Sequence, residues 1–173
     1  MKKLIFISLL FSILSLSVSA QKPTKAEKAA QLEQEFQQTR QLIESNHFQF
    51  ELNRVYPQDG QDLSRFNPRG KFVITDSVAK GTLPFFGRAY SLPYGEGIEF
   101  DGVMKDQSLK IEHKKKRKIL IYRFSITAKN DTYQISMEIS GGGNCSVNLN
   151  SNNRAQISYS GTVSPVKDET GKS

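Results

Sequence analysis

The chain has 173 residues, a formal net charge of +7 and a single cysteine, Cys145. That length suits one ordinary domain, and one cysteine excludes an internal disulfide, so burial alone must stabilise the core. The only histidines, His47 and His113, lie far apart with no carboxylate or cysteine at ligand spacing, so neither a metal site nor any other cofactor is expected.

The first element is MKKLIFISLLFSILSLSVSA, in which Lys2 and Lys3 precede an apolar run from Leu4 to about Leu16, and small residues end at Val18-Ser19-Ala20. This pattern predicts a secretory signal peptide over 1–20, cleaved after Ala20. No cysteine follows that cut, which argues against a lipid anchor. No later run reaches the roughly 20 apolar residues of a spanning helix. The expected mature chain is soluble and either periplasmic or secreted.

Residues 21–46 are rich in Ala, Glu, Gln, Lys and Leu, with Pro23 and Thr24 suited to a first turn. Ala29, Leu32, Phe36 and Ile43 follow helical spacing, which predicts one amphipathic helix packed through that stripe on the domain that follows. From residue 47 the period changes to two. Phe48, Phe50 and Leu52 alternate with Gln49 and Glu51, and the turn-rich DGQDLSRFNPRG separates this strand from Phe72-Val73-Ile74.

Four later strands are clearer: Leu120 to Ile126, Tyr133 to Ile139, Cys145 to Leu149 and Ile157 to Val163, each with apolar residues at alternate positions. Their links, at Lys129-Asn130-Asp131, Gly141-Gly142-Gly143 and Ser151-Asn152-Asn153, are too short for parallel crossovers. The strands therefore form an antiparallel meander with one apolar face. The expected fold is mainly β, with 47–165 forming a small up-and-down barrel and the helix plugging an end or an edge. A two-sheet sandwich is the alternative. Cys145 falls on the apolar phase and is expected to be buried. The tail, 166–173, is polar.

Two segments carry possible chemistry. His113-Lys114-Lys115-Lys116-Arg117-Lys118 reads as a solvated hairpin tip, with weak, salt-dependent attraction to anionic head groups or glycans as the alternative, and no nucleic-acid role follows from it in an exported chain. The stretch LPFFGRAYSLPYGEGIEF, Leu83 to Phe100, crowds Phe85, Phe86, Tyr90 and Tyr94 around Arg88, with Arg154 a second cation beside a later turn. Its prolines and glycines force it out of the sheet and back, so some of these rings must pack at the barrel mouth or line a cleft. An arginine among aromatics is either a clamp or a receptor for an anion. Glu99 and Asp101 resemble a glycosidase pair only weakly. No G-x-S-x-G elbow is present and Cys145 sits within a strand, so no nucleophile is assigned.

Taken together, LPFFGRAYSLPYGEGIEF, the lysine-rich hairpin and NDTYQISMEISGGGNCSVNLNSNNRAQISYSGTV resemble the exported bacterial domain-of-unknown-function family 4251, common in Bacteroidota. The likeness runs from the leader through Val163 and is most specific over Leu83 to Tyr94 and Asn150 to Gly161. It implies a lipocalin-like β-barrel and an envelope location, and it supplies no activity. It also implies a signature surface of Phe86, Gly87, Arg88, Tyr90, Pro93, Tyr94, Asn153 and Arg154. Where that family usually has a tyrosine, this chain has phenylalanine at Phe85 or Phe86. In such a bacterium, Asp76-Ser77-Val78 would fit the Asp-Ser/Thr-aliphatic pattern of periplasmic O-glycosylation.

The functional expectation is a non-enzymatic binding or accessory module, with Phe85, Phe86, Arg88, Tyr90, Tyr94 and Arg154 holding a small amphiphilic or anionic molecule. One alternative is a structural or protein-interaction component of the envelope with a filled core. A minor alternative is glycan hydrolysis through Glu99 and Asp101, which needs carboxylates about 5–9 Å apart across a cleft.

Overall fold

A computed structural model describes residues 24–90, 97–114, 117–128 and 131–167. The expected leader, Pro93, Tyr94, Lys115, Lys116 and the end of the tail lie outside the described residues. The chain divides into two compact units, Met1–Gln31 and Leu32–Ser173. In the first, Thr24 and Glu27 form a reciprocal capping box: the Thr24 amide donates to Glu27 Oε2 at 2.6 Å, and the Glu27 amide to Thr24 Oγ1 at 3.2 Å. It opens the one described α-helix, α1 (Lys25–Glu44).

In the second unit, eight strands close into a barrel in the order β1-β2-β3-β4-β5-β6-β7-β8, every neighbouring pair antiparallel. They are β1 (His47–Pro57), β2 (Lys71–Thr75), β3 (Val78–Leu83), β4 (Ile98–Lys114), β5 (Arg117–Thr127), β6 (Thr132–Ser140), β7 (Asn144–Ser151) and β8 (Ile157–Pro165). Closure through β1 and β8 rules out the sandwich and leaves neither strand as an edge. Register is set by the alternation seen in the sequence. Leu120 pairs with Ile139, Tyr122 with Met137, Phe124 with Ile135, and all point into one core.

The interior is filled. Phe50 and Phe72 stack with centroids 5.1 Å apart, and Phe72 meets Phe100 at 5.6 Å. Phe50, Phe72, Leu120 and Leu149 are 0% accessible, so no water-sized space stands against them, as a hollow ligand cup would require. Gly161 makes room for this packing, because a Cβ there would run into the Glu51 carbonyl and crowd the Phe50 ring at 2.8 Å. Cys145 is buried, as expected, and desolvation pushes its thiol well above the ordinary range, which leaves it inert. β4 is bulged between Lys105 and Ser108, with Asp106 at φ 54°.

An up-and-down meander sends alternate connections to opposite ends. The connections after β2 and β6 fall at one end with α1, and those after β1, β3, β5 and β7 fall at the other. At the helix end, Phe36, Thr39 and Ile43 are the buried face of α1. Leu32, expected on that stripe, is 61% exposed. The reason is where the wall stops: the turn at Gly141 meets the helix at Glu35 and Phe36, one turn short of Leu32, and a Cβ on Gly141 would sit 3.2 Å from the Phe36 amide nitrogen. Thr39 completes the stripe, its hydroxyl satisfied by the Glu35 carbonyl at 2.8 Å. Ser77 lies exposed in the β2–β3 turn, and its carbonyl accepts from the Met104 amide at 2.7 Å.

Candidate functional site

The opposite end, the rim, is where the Phe/Arg segment returns to the barrel. After β3 the chain leaves the sheet at Pro84, whose carbonyl accepts a 2.9 Å hydrogen bond from the Tyr159 hydroxyl reaching out of the core. Burial raises the pKa of that hydroxyl, with the nearby positive charge of Arg154 opposing the shift, and the hydroxyl stays a donor. The segment then lies against the β7–β8 turn. The Tyr90 amide donates to the Asn153 carbonyl at 2.8 Å, the Ala155 amide to the Arg88 carbonyl at 2.9 Å, and Ala89 and Arg154 form an isolated antiparallel bridge.

Beneath that bridge sits a buried polar cluster. Asp131 accepts from the Thr132 amide at 2.8 Å, from the Ser151 hydroxyl at 2.5 Å and from the Asn153 side-chain amide at 3.2 Å. Arg154, only 5% exposed, places its Nε 3.9 Å from Asp131 Oδ2 and its guanidinium 5.0 Å from the centre of the Phe85 ring. Charge, hydrogen bonds and a cation–π contact therefore hold three connections together at one point.

The expected site residues separate into two groups. Phe85 is half-buried beneath Arg154, and these two form the clamp. Phe86 is 42% exposed, Tyr90 is 60% exposed, and Arg88 is exposed. The arginine packed against a ring is thus Arg154, while Arg88 stands in solvent and forms no ion pair among the described residues. Phe85, Phe86 and Arg88 share a groove of about 860 Å³ with Pro57, Asp59 and Ala155. Tyr90 is not part of its lining, and Tyr94 lies outside the described residues.

Asp131 is the site residue that sequence reasoning misses, because in the sequence it is one residue of a short turn. The available signal was topological: in a meander the β5–β6 and β7–β8 turns share an end, so an aspartate in one faces an arginine in the other. Glu99 and Asp101 lie exposed on the outer face of β4, where Asp101 pairs with Lys80 at 2.7 Å. Both histidines are exposed, and no group of metal-ligating side chains occurs among the described residues. No described helix is long and apolar enough to cross a membrane.

Comparison with other proteins gives a fold and a family. The crystal structure at 1.95 Å of a DUF4251 family protein from Bacteroides eggerthii DSM 20697 is similar, with a TM-score of 0.56 and 23% identity over 79% of this chain and 91% of that one. No curated protein matches. The family model for the domain of unknown function DUF4251 matches residues 30–163, including the whole rim, and the chain belongs to that family.

Proposed function

We infer that the protein is an exported, non-enzymatic binding or accessory module of the cell envelope, which engages a small amphiphilic or anionic molecule at its rim. One observation carries this reading: Phe86 and Arg88 are both exposed in a groove whose base is fixed by half-buried Phe85 and the buried Arg154 and Asp131. A rigid base presenting one ring and one cation suits an aromatic or amphiphilic anion, with the ring giving apolar contact and the guanidinium the charge. The filled interior supports a rim position for the proposed ligand over one inside the barrel.

The anionic dye 1-anilinonaphthalene-8-sulfonate tests this. Its fluorescence should rise on binding the wild-type protein and fall back in Arg88→Ala, with the far-UV circular dichroism melt unchanged. If Arg88→Ala unfolds the protein, Arg88 is a structural residue and the receptor reading fails. Export is tested separately by the mass of the mature protein from its host, which should begin at Gln21 and be found in the periplasm or medium.

A second reading, an envelope scaffold that binds protein partners and no small molecule, is favoured by the absence of water-sized space against Phe50, Phe72, Leu120 and Leu149. It gains ground if no small molecule copurifies with the native protein and a stoichiometric protein partner does.

A further inference from the structure

We propose that the outer wall of β1, β2 and β3 carries a second binding site, for a long-chain anionic amphiphile. A groove of about 740 Å³ lies on this wall and shares no lining residue with the rim groove. Its volume falls within the range typical of small-molecule sites.

The floor is apolar. Val73 contributes its side chain, and at Gly70, at Gly81 and at Leu52, whose side chain belongs to the core, the wall shows main chain. Both glycines are held by packing on their other side. A Cβ on Gly70 would sit 2.9 Å from the Pro84 ring and 3.0 Å from the Thr82 carbonyl, and one on Gly81 would run into Phe72 and the Lys71 carbonyl. The groove is therefore shallow-floored by construction, and an alkyl chain can lie along it.

The edge is basic: Arg69, Lys71 and Lys80 line the groove against one carboxylate, Glu51. Glu51 is already matched, by Lys167 at 3.0 Å and by the Gln49 amide at 2.9 Å. Lys80 is steadied by Asp101 at 2.7 Å. Arg69 is exposed and stands in no ion pair among the described residues, which makes it the cation to meet an incoming anionic head. Lysine stems lying beside the floor extend its apolar surface while their ammonium groups stay in water. An apolar strip with a positive edge fits an acyl chain ending in a carboxylate, and a small inorganic anion would leave the strip unused.

The test is a titration of decanoate into the ¹⁵N-labelled protein, followed by amide chemical shifts. The expected result is saturable shifts at Gly70, Val73 and Gly81. Arg69→Glu should weaken binding by at least about tenfold through charge reversal at the head, and Val73→Asp should weaken it through the floor. Shifts confined to Gly87, Ala89 and Ala155 would assign decanoate to the rim and overturn this site while leaving the rim reading intact. Equal binding of uncharged decyl maltoside, or no saturable shift below millimolar decanoate, would overturn it too. The wild-type shift map decides the matter even if a variant fails to fold.

Discussion

At one end of the barrel, Phe36 and Ile43 of α1 are buried against the barrel and its Gly141 turn; at the other, Asp131 and Arg154 meet beneath a strap of main chain. The first seal consists of apolar area, which is undirected and insensitive to salt. The second consists of charge and oriented hydrogen bonds in a place with little water, where each group depends on its partner. Losing part of the apolar seal costs in proportion to the area lost, whereas losing one member of the polar seal strands the rest. The rim site proposed above rests on the second kind of base, whose directed bonds fix the main chain at Arg88 and Tyr90 while the Phe86 and Arg88 side chains stay in solvent.

The sharpest break is Asp131→Ala. It removes the carboxylate that Ser151, Asn153 and Arg154 share, beside a cation only 5% exposed. The expected cost is about 3–5 kcal/mol in urea unfolding, with faster hydrogen exchange at the Tyr90 and Ala155 amides. A cost below about 1 kcal/mol would show that the rim is sealed by packing, as the helix end is.

Phe36→Ala tests the other end. Truncating a buried phenylalanine should cost about 3 kcal/mol, and the loss should be the same in 0.1 M and 1 M salt, to within about 0.5 kcal/mol. A loss that grows as salt is removed would mean that charge is doing what packing is credited with here.

The helix end and the rim also differ in how legible they were. Alternation placed β5 to β8 and their inward residues, because each strand is apolar on one face only and a slip of one residue would expose the whole set. Hydrophobic period could not reveal β3, VAKGTL, whose inward positions include Ala79 and Gly81. Nor could it give the full span of β4, where the bulge at Asp106 resets the phase midway. Leu32 was misplaced because a helical stripe says which face is apolar but not where the supporting wall ends. The crowding around Arg88 pointed to the correct loop, yet the buried cation is Arg154. Which arginine turns inward depends on Asp131, 23 residues away in sequence, and that pairing exists only once the meander has brought two turns to one end.

A smaller effect concerns Tyr122, near the helix end. Its hydroxyl lies 3.0 Å from the Asn46 amide oxygen and 2.9 Å from that of Gln107, and burial pushes its pKa up to about 12. In the unfolded chain it ionises near 10. The unfolded state therefore loses its proton first as pH rises, and stability that is complete below pH 10 drains away between pH 10 and about 12. Tyr122→Phe should cost about 1 kcal/mol at neutral pH through the lost hydrogen bond, and it should flatten the first part of the alkaline decline. Tyr159, whose hydroxyl is shifted in the same direction, sustains the later part. An alkaline profile unchanged by Tyr122→Phe would place this loss elsewhere.

The smallest expected effect is the most direct threat to the comparison. Lys118 crosses from the barrel to the helix, pairing with Glu33 at 2.8 Å and lying 5.6 Å from the centre of the Phe36 ring. That pair holds the Glu33 carboxyl below its ordinary value, so whatever it contributes is present at neutral pH and lost on acidification. Both side chains are partly in solvent, where screening and side-chain entropy leave such pairs weak. Lys118→Met keeps a long stem over Phe36 and removes only the charge. Its melting temperature should match that of the wild-type protein in 0.5 M salt and fall only slightly below it in dilute buffer. A loss as large as that of Phe36→Ala, in both buffers, would mean that α1 is fastened by the Lys118–Glu33 tie. The two ends would then differ in which residues they use and not in the kind of force that closes them.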